Sequence, residues 1–370
     1  MTFPSPSPVS RPLVYYITAH GYGHGVRSCE IIRAFKAQNP EAPVCVVSDL
    51  PRTFLENRLH GLGIVYRAAS FDVGMVQLDS VRVDVPATLA RLTLLDDQWA
   101  QRVAQEAQWL RDQHAAMIVA DIPAIPIEAA AQAGIPRIAI GNFAWDWIYS
   151  AFEKQDARWP GIIGKFRSAY SLTDLLIRLP FAEPMRAFPW RVDVPVPAEP
   201  GVSKRDALAQ ALGCPVDRTW VLLSFTSLDW NEDALNRVRA LDDYVFLTVK
   251  PLAWQGGNMF AVDRDRFSFQ DVLASSDIVL TKPGFGILSE CIANQKPMVY
   301  VDRADFLEYP VLEKAVQKYL KHAHVPAPDL YAGHLAHALE AVQTCPEPAH
   351  RIPTGGGPAA AHLIKAFYSA

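Results

Sequence analysis

The sequence predicts an α/β protein of two domains, each built on a parallel sheet with helices around it. Short apolar runs alternate with helical patterns in both halves of the chain, which is typical of right-handed strand–helix–strand crossovers. A glycine-containing turn joins a buried strand to a helix in each half, at His20–Gly25 and at Thr281–Glu290. The proline-rich segment Pro189–Lys204 between the halves is predicted to be the interdomain linker.

The individual strands are predicted from short apolar runs and the helices from apolar positions at helical spacing. In the first half the strands are Leu13–Ile17, Val44–Val47, Ile64–Tyr66, Met117–Ala120 and Arg137–Ile140, and the helices Val26–Phe35, Thr88–Gln113 and Pro126–Ala133. In the second half the strands are Trp220–Leu223, Tyr244–Val249, Ile278–Leu280 and Met298–Val301, and the helices Gln270–Ser275, Ile287–Asn294 and Pro358–Tyr368. We therefore predict an N-terminal domain at 1–190, a second domain at 205–355 and a C-terminal helix at 356–370.

Composition narrows the class of protein. A chain of 370 residues is long enough for two domains. Its formal net charge of −4 provides no positive electrostatic field that would attract nucleic acid. The five cysteines are scattered without metal-ligand or redox-motif spacing, which favours a reducing, cytoplasmic setting. No apolar run is long enough to cross a bilayer. Met1–Arg11 is rich in proline and serine and is predicted to be a flexible tail and not a signal peptide.

The turn at Thr281–Glu290 is predicted to bind an anion, with a diphosphate as the commonest biological choice. The turn directs unpaired backbone N–H groups and the positive end of a helix dipole at one point. Gly284, Phe285 and Gly286 form this point, and Lys282 adds a cation. Glu290 lies about one turn inside the helix, where a carboxylate can accept two hydrogen bonds from a ribose diol.

The turn at His20–Gly25 is predicted to hold a base. His24 and His20 lie at the carboxyl end of the first strand, where ligands bind in open α/β sheets, and a histidine there can take a proton near neutral pH. Such a base needs a partner that fixes its tautomer, and Asp121 ends a strand of the same sheet. The alternative is that both histidines only cap the turn.

Other polar and aromatic residues in the second half are predicted to contact the same ligand. Ser224 and Thr226 follow a strand and either contact phosphate or form local turns with their own backbone. Phe267 either stacks on a base or belongs to the core. Asp305 and Glu308 follow another strand and either accept hydrogen bonds from sugar hydroxyls or form a solvated loop.

An aromatic stretch in the first half is predicted to contact an acceptor. We expect Trp145, Asp146 and Trp147, together with His20, to make these contacts. The following segment, Phe152–Tyr170, mixes basic and apolar residues. It is either a cap over the cleft, a membrane-surface patch, or a helical excursion packed on its own domain.

These motifs resemble those of glycosyltransferases with the GT-B fold. The segments His20–Arg27 and Thr281–Pro297 are similar to the peptidoglycan lipid-linked N-acetylglucosaminyltransferase family. A closer resemblance is to the N-terminal, transferase-like part of plant arabinokinases. It is carried by Gly21–His24, Asp121–Pro123, Asn142–Tyr149 and Lys282–Gly286. One departure is that Ser224–Ser227 replaces the usual glycine pair after the first strand of the second domain.

The resemblance implies two Rossmann-like domains facing across a cleft, and it leaves open whether the C-terminal helix crosses back to the N-terminal domain. It implies transfer of a sugar from a nucleotide-diphosphate sugar, with UDP expected, to an acceptor hydroxyl with inversion. The second domain would hold the donor, and His24, oriented by Asp121, would be the base. No metal and no cofactor beyond this co-substrate are implied. The acceptor is a small molecule or lipid-linked, with peripheral membrane contact as one option. The alternatives are a nucleotide-sugar epimerase or hydrolase, and a non-catalytic sugar-nucleotide-binding module.

Overall fold

The computed structural model describes residues 11–77, 83–225, 227–250, 252–264, 266–302 and 307–369. These residues form two compact units. Unit 1 draws them from Met1–Val76, Asp84–Pro197 and Gly355–Ala370, and unit 2 from Gln77–Val83 and Ala198–Thr354. The predicted tail at residues 1–10 and the predicted site residues Thr226 and Asp305 lie outside the described residues.

Unit 1 is built on a parallel sheet in the order β3-β2-β1-β4-β5-β6-β7. Its strands are β1 (Leu13–Ile17), β2 (Val44–Val47), β3 (Val65–Arg67), β4 (Met117–Asp121), β5 (Arg137–Gly141), β6 (Leu175–Arg178) and β7 (Arg191–Asp193). The strand order reverses direction between β1 and β4. The loops that follow these neighbouring strands therefore leave the same edge of the sheet, where open α/β sheets bind ligands.

Helices connect these strands and cover the sheet. They are α1 (Tyr22–Gln38), α2 (Arg52–Arg58), α3 (Val85–Asp112), α4 (Ala124–Ala133), α5 (Trp145–Ser150) and α6 (Trp159–Tyr170). In α1 the apolar residues Cys29, Ile32 and Phe35 recur at helical spacing and are fully buried. This stripe packs in the same core as the apolar side chains of β1 and β2, so burial of one face holds the helix on the sheet.

Unit 2 is built on a second parallel sheet, in the order β10-β9-β8-β11-β12-β13. Its strands are β8 (Thr219–Ser224), β9 (Tyr244–Val249), β10 (Met259–Val262), β11 (Ile278–Thr281), β12 (Met298–Val301) and β13 (His322–Val325). Its helices are α7 (Arg205–Leu212), α8 (Glu232–Arg239), α9 (Phe269–Ser275), α10 (Phe285–Ala293), α11 (Tyr309–Tyr319), α12 (Ala327–Ala332) and α13 (Ala336–Thr344). Across the part of the chain that the structure describes, no helix is both long and apolar enough to span a membrane.

The last helix, α14 (Gly356–Tyr368), belongs to unit 1, so the predicted option of a C-terminal helix that crosses back is confirmed. Ala360, Ala361 and Ile364 are fully buried in the same core as the apolar face of α1. Burying one isoleucine side chain stabilises a fold by roughly 1.5–3 kcal/mol. The close approach at the start of α14 requires glycine, because a Cβ on Gly356 would overlap the carbonyl oxygen of Pro195.

The structure corrects the prediction for one segment and supports one of the alternatives for another. The first part of the predicted linker Pro189–Lys204 forms β7, an exposed edge strand that pairs with β6. The apolar residues of Phe152–Tyr170 lie in α6, where Trp159, Ile163 and Phe166 are buried. This burial agrees with a helical excursion that packs on its own domain.

Candidate functional site

The connection from β1 to α1 opens the carboxyl edge of the unit 1 sheet to a ligand. Gly21 precedes α1 in an extended conformation, with φ −170° and ψ 155°, and provides no side-chain cap for the first N–H groups of the helix. A Cβ placed on Gly21 would meet no protein atom within 4 Å. The turn therefore leaves open space beside the start of α1.

His24 and Asp121 form a direct pair at this edge. Nδ1 of His24 lies 2.8 Å from Oδ1 of Asp121, which ends β4. His24 is 6% exposed and Asp121 is fully buried. The structure therefore brings together the two residues that the sequence predicts as base and orienting partner, although their catalytic roles stay predictions.

Three further residues belong to this cluster and were missed by the sequence analysis: Arg27 and Ser28 contact the carboxylate of Asp121, and Asn142 contacts Arg27. Arg27 donates from Nε to Oδ2 of Asp121 at 2.7 Å and from Nη2 to Oδ1 at 2.5 Å. Ser28 donates from Oγ to Oδ2 at 2.7 Å. Nη1 of Arg27 donates to the side-chain oxygen of Asn142. The spacing of three residues between His24 and Arg27 was the available signal, because it places both on one face of a helix.

Burial and neighbouring charges shift the pKa values of His24 and Asp121, and these causes partly oppose each other. Burial by itself raises the pKa of Asp121, but Arg27 and His24 outweigh burial and hold that pKa well below its usual range. Burial lowers the pKa of His24, Arg27 lowers it further, and Asp121 opposes both. The pKa of His24 is lowered as a result, so the imidazole is neutral at pH 7 and can accept a proton.

His20 is held beside this pair by the chain that follows β3. Its Nδ1 accepts a hydrogen bond from the backbone N–H of Met75 at 3.2 Å, which places the proton of the neutral ring on Nε2. Gly74 has φ +64°, and a Cβ there would overlap the His20 ring. This position therefore requires glycine, and the tautomer of His20 is fixed by local backbone geometry.

Asp72 is a second carboxylate near this edge, and no pattern in the sequence predicts it. It accepts a hydrogen bond from Nε1 of Trp145 at 2.9 Å. Burial raises the pKa of Asp72 to about 6, although hydrogen bonds from Thr18 and Trp145 oppose that rise. Asp72 thus titrates close to neutral pH, unlike Asp121.

The predicted acceptor residues differ in how much surface they present. Trp145 is 1% exposed and stacks on Tyr149, with ring centroids 5.6 Å apart, whereas Trp147 is half-buried. Asp146 is 8% exposed and accepts a hydrogen bond from Nε of Arg167 at 3.2 Å. The structure places His20 and Trp145 in edge-to-face contact at 5.1 Å. An acceptor role for these residues remains a prediction.

Glu183 is another buried carboxylate in unit 1, and it makes stability depend on pH. Burial, followed by the nearby charge of Asp146, raises the pKa of Glu183 to about 7 from an ordinary value of 4.5. The folded protein then keeps this proton up to about pH 7, whereas the unfolded chain releases it near pH 4.5. The resulting stabilisation is complete below pH 4.5 and is lost as the pH rises through about 7.

We expect Glu183→Gln to remove this loss, because the amide carries no charge at any pH. Relative to the unmodified protein, the variant should gain about 2 kcal/mol of unfolding free energy between pH 5 and pH 8, allowing for partial solvent screening. Urea denaturation at both pH values measures the gain. Glu153→Gln, on an exposed glutamate of the same unit, is the matched control. Parallel pH profiles for Glu183→Gln and the unmodified protein would contradict the raised pKa.

In unit 2, five of the predicted donor residues lie on one turn and its helix. Gly284 precedes α10 in an extended conformation, with φ −156° and ψ 153°, and provides no side-chain cap. Lys282 lies half-buried between β11 and this glycine. Phe285 and Gly286 begin the helix, and Glu290 is 5% exposed within it. The turn repeats the open geometry seen before α1.

The other predicted donor residues are more dispersed within unit 2. Ser224 ends β8, and its carbonyl oxygen accepts a hydrogen bond from Oγ1 of Thr281 at 2.9 Å, so it lies next to the strand before α10. Phe267 is 6% exposed, which leaves little ring surface for a base. Glu308 is half-buried just before α11. Thr226 and Asp305 are outside the described residues.

Comparison with known proteins gives consistent results at the level of fold. No family model matches the chain. CalG4, the calicheamicin glycosyltransferase, is similar over 98% of this chain and 99% of its own, with a TM-score of 0.63 and 15% identity. A UDP-glucosyltransferase from Polygonum tinctorium, capable of glucosylating indoxyl, is similar over the same shares, with a TM-score of 0.63 and 14% identity.

In sequence, the chain is similar to the L-arabinokinase of Arabidopsis thaliana. The two are 29% identical over 358 residues, which are 95% of this chain and 34% of the arabinokinase. The chain thus spans about a third of the length of that relative. The predicted resemblance to GT-B glycosyltransferases and to arabinokinases is confirmed, and the parallel sheet of each unit together with these similarities shows that the chain has the GT-B fold.

Proposed function

We propose that the protein is a glycosyltransferase that moves a sugar from a nucleotide-diphosphate sugar to an acceptor hydroxyl with inversion at the sugar carbon. The observation that carries the proposal is the buried contact of 2.8 Å between His24 and Asp121 at the carboxyl edge of a GT-B domain. A neutral histidine with an oriented ring is the group that such a displacement needs as a base.

In the proposed reaction, Nε2 of His24 takes the proton of the acceptor hydroxyl while the hydroxyl oxygen attacks the anomeric carbon of the donor. A new bond forms between that oxygen and the carbon, and the bond from the carbon to the diphosphate oxygen breaks. The electron pair of the broken bond leaves with the nucleoside diphosphate. His24 becomes an imidazolium whose charge faces Asp121, and attack from the side opposite the diphosphate inverts the carbon.

We assign the donor to unit 2 by the same reasoning. The uncapped N–H groups at the start of α10 and the ammonium of Lys282 would offset the charge of the departing diphosphate without a metal ion. Glu290 would hold the ribose hydroxyls, and Asp305 and Glu308 the sugar. UDP is the proposed nucleotide, a choice supported by the UDP-glucosyltransferase among the similar structures.

The acceptor is proposed to bind at the carboxyl edge of the unit 1 sheet, near His20 and Trp147. The support is that both side chains lie on the loop or helix that follows a strand of that sheet and that neither is fully buried. A small molecule and a lipid-linked acceptor both present the hydroxyl that the reaction consumes. Transfer assays with hydroxylated small molecules and with lipid-linked sugars separate these two classes.

Donor binding is tested by a thermal-shift screen of nucleoside diphosphates and their sugars, with Glu290→Ala beside the unmodified protein. A ligand at 100 times its Kd stabilises the folded state by about 2.7 kcal/mol, so the melting temperature should rise with one nucleotide class. The rise should disappear in Glu290→Ala, because the ribose loses its acceptor. Glu340→Ala, on an exposed glutamate of unit 2, should keep the full shift.

Other results of the screen would redirect the proposal. The donor site would be wrong if the shift survived in Glu290→Ala, or if no nucleotide produced a shift. Consumption of the donor sugar in the absence of any acceptor would indicate the alternative of an epimerase or hydrolase. Binding with no turnover against any acceptor would indicate a binding module.

A further inference from the structure

Arg27 occupies an unusual place for a charged residue, because it is only 6% exposed and contacts both members of the His24–Asp121 pair. Its Nε and Nη2 atoms donate to the two carboxylate oxygens of Asp121, and its Nη1 atom donates to Asn142. These contacts fix the orientation of the guanidinium plane. A buried arginine with this many partners has little freedom to move away from His24.

Nδ1 of His24 faces an acceptor and a donor at nearly equal distances. Oδ1 of Asp121 lies 2.8 Å away and Nη2 of Arg27 lies 2.7 Å away. The Asp121 carboxylate can only accept a hydrogen bond and a guanidinium can only donate one. In a neutral imidazole, Nδ1 either carries a hydrogen and donates it, or carries none and accepts one. The first tautomer pairs with Asp121 and opposes Arg27, whereas the second pairs with Arg27 and opposes Asp121.

We propose that Arg27 is a positioning residue that offsets the charge of Asp121 and competes with it for Nδ1, so that His24 is a weaker base than a histidine paired with an aspartate alone. The catalytic consequence rests on the proposed function, whereas the effect on the imidazole does not. Only the tautomer with hydrogen on Nδ1 leaves Nε2 free to take a proton. Arg27 thus limits both the basicity of His24 and the fraction of molecules ready to react.

The surroundings of His24 support a near balance of charge. Arg27 on α1 contributes a positive charge and Asp121 on β4 a negative one, both within hydrogen-bond distance. The ring of Phe143, after β5, packs edge-to-face on the imidazole at 5.5 Å and carries no charge. His20 lies in the turn before α1, and the charge of Asp121 contributes to the raised pKa of Asp72, which follows β3. The ion pair therefore presents little net charge to the imidazole.

The test is an NMR titration of protein labelled with 15N-histidine, without donor or acceptor. The signals of His24 are assigned by their loss in His24→Ala, and their shifts report both the pKa and the tautomer. Four proteins are compared: the unmodified protein, Arg27→Gln, the double variant Arg27→Gln/Asp121→Asn, and Arg33→Gln. Arg33 is an exposed arginine of the same helix and is the matched control.

In the unmodified protein we expect a pKa below 6.5 and signals from both neutral tautomers. Arg27→Gln should raise the pKa of His24 by about one to three units, because an unbalanced carboxylate then faces the ring, and should leave only the tautomer with hydrogen on Nδ1. The double variant leaves no unpaired buried charge, so we expect it to fold even if Arg27→Gln does not. Its His24 pKa should lie within about half a unit of the unmodified value, since a neutral amide pair replaces a neutral ion pair.

Several outcomes would overturn the proposal. In the unmodified protein, these are a His24 pKa above 6.5 or a single tautomer with hydrogen on Nδ1. In Arg27→Gln, the contradicting result is an unchanged His24 pKa. In the double variant, it is a fall of the His24 pKa by about one unit or more. Arg33→Gln should match the unmodified protein. Because no substrate is present, these results stand even if the protein transfers no sugar. In an active protein, Arg27→Gln should also move the acid limb of the kcat profile to higher pH.

Discussion

His24→Ala is expected to lower the rate of sugar transfer by about 10²–10⁴-fold, the usual contribution of a general base. The variant removes the imidazole that takes the acceptor proton and leaves the donor turn in unit 2 unchanged. The thermal shift produced by the donor should therefore persist. Steady-state kinetics with the donor identified by the screen and a matching acceptor measure the loss.

The control for this experiment is His60→Ala, which removes an exposed histidine of the same unit. It should transfer sugar at the unmodified rate. Full activity in His24→Ala would refute the assignment of the base. Equal loss of transfer and of donor binding would instead mean that the substitution had damaged the fold, and a circular dichroism spectrum separates that case.

Asp121→Ala should destabilise unit 1 by about 3–5 kcal/mol, because it leaves Arg27 buried without a counter-charge. The same change also removes the acceptor of the hydrogen bond from Ser28 and the carboxylate that contacts Nδ1 of His24. Urea denaturation followed by tryptophan fluorescence measures the free energy of unfolding. The loss should shrink at pH values near the low pKa of Asp121, where the carboxylate of the unmodified protein is itself protonated.

Asp193→Ala is the comparison for this prediction. Asp193 also pairs with an arginine, Arg178, but its side chain is 67% exposed. A solvent-exposed pair contributes about 0–1 kcal/mol, so the two aspartates should differ several-fold in their effect on stability. A similar small loss for both variants would mean that Arg27 reaches solvent when Asp121 is removed.

Much of the fold was readable because its central strands are largely apolar. The predicted bounds of β1, β2, β9 and β12 agree with the structure residue for residue. Strands of this kind are buried on both faces by helices, and the composition that burial demands is visible in a single sequence. The alternation of strands and helices predicted parallel sheets, and the parallel pairing of the strands in both sheets confirms this prediction.

Two of the edge strands, β7 and β13, were missed for the opposite physical reason. β7 has the sequence Arg-Val-Asp and is exposed along its length, and the Arg178–Asp193 ion pair joins it to β6. β13 alternates histidine with apolar residues. An edge strand is paired on one side only and need not be apolar, so neither segment differs in composition from a loop.

The candidate site likewise contains residues that the sequence predicts and residues that it does not. His24 and Asp121 were predictable because each follows or ends an apolar strand beside a turn. The spacing of three residues between His24 and Arg27 predicts that both lie on one face of a helix. Asp72 and Glu183 carried no such signal, because each lies in an irregular segment and owes its raised pKa mainly to burial. The burial of a side chain in an irregular segment is known only after the chain has folded.

The return of α14 to unit 1 has a consequence for the order in which the protein is completed during synthesis. The ribosome releases all of the residues between Ala198 and Thr354 before Gly356–Tyr368 emerges. Until then the core of unit 1 lacks the buried residues of α14, although β1 and its turn were synthesised first. Unit 2, which carries the proposed donor residues, can therefore fold before unit 1, which carries His24, is complete.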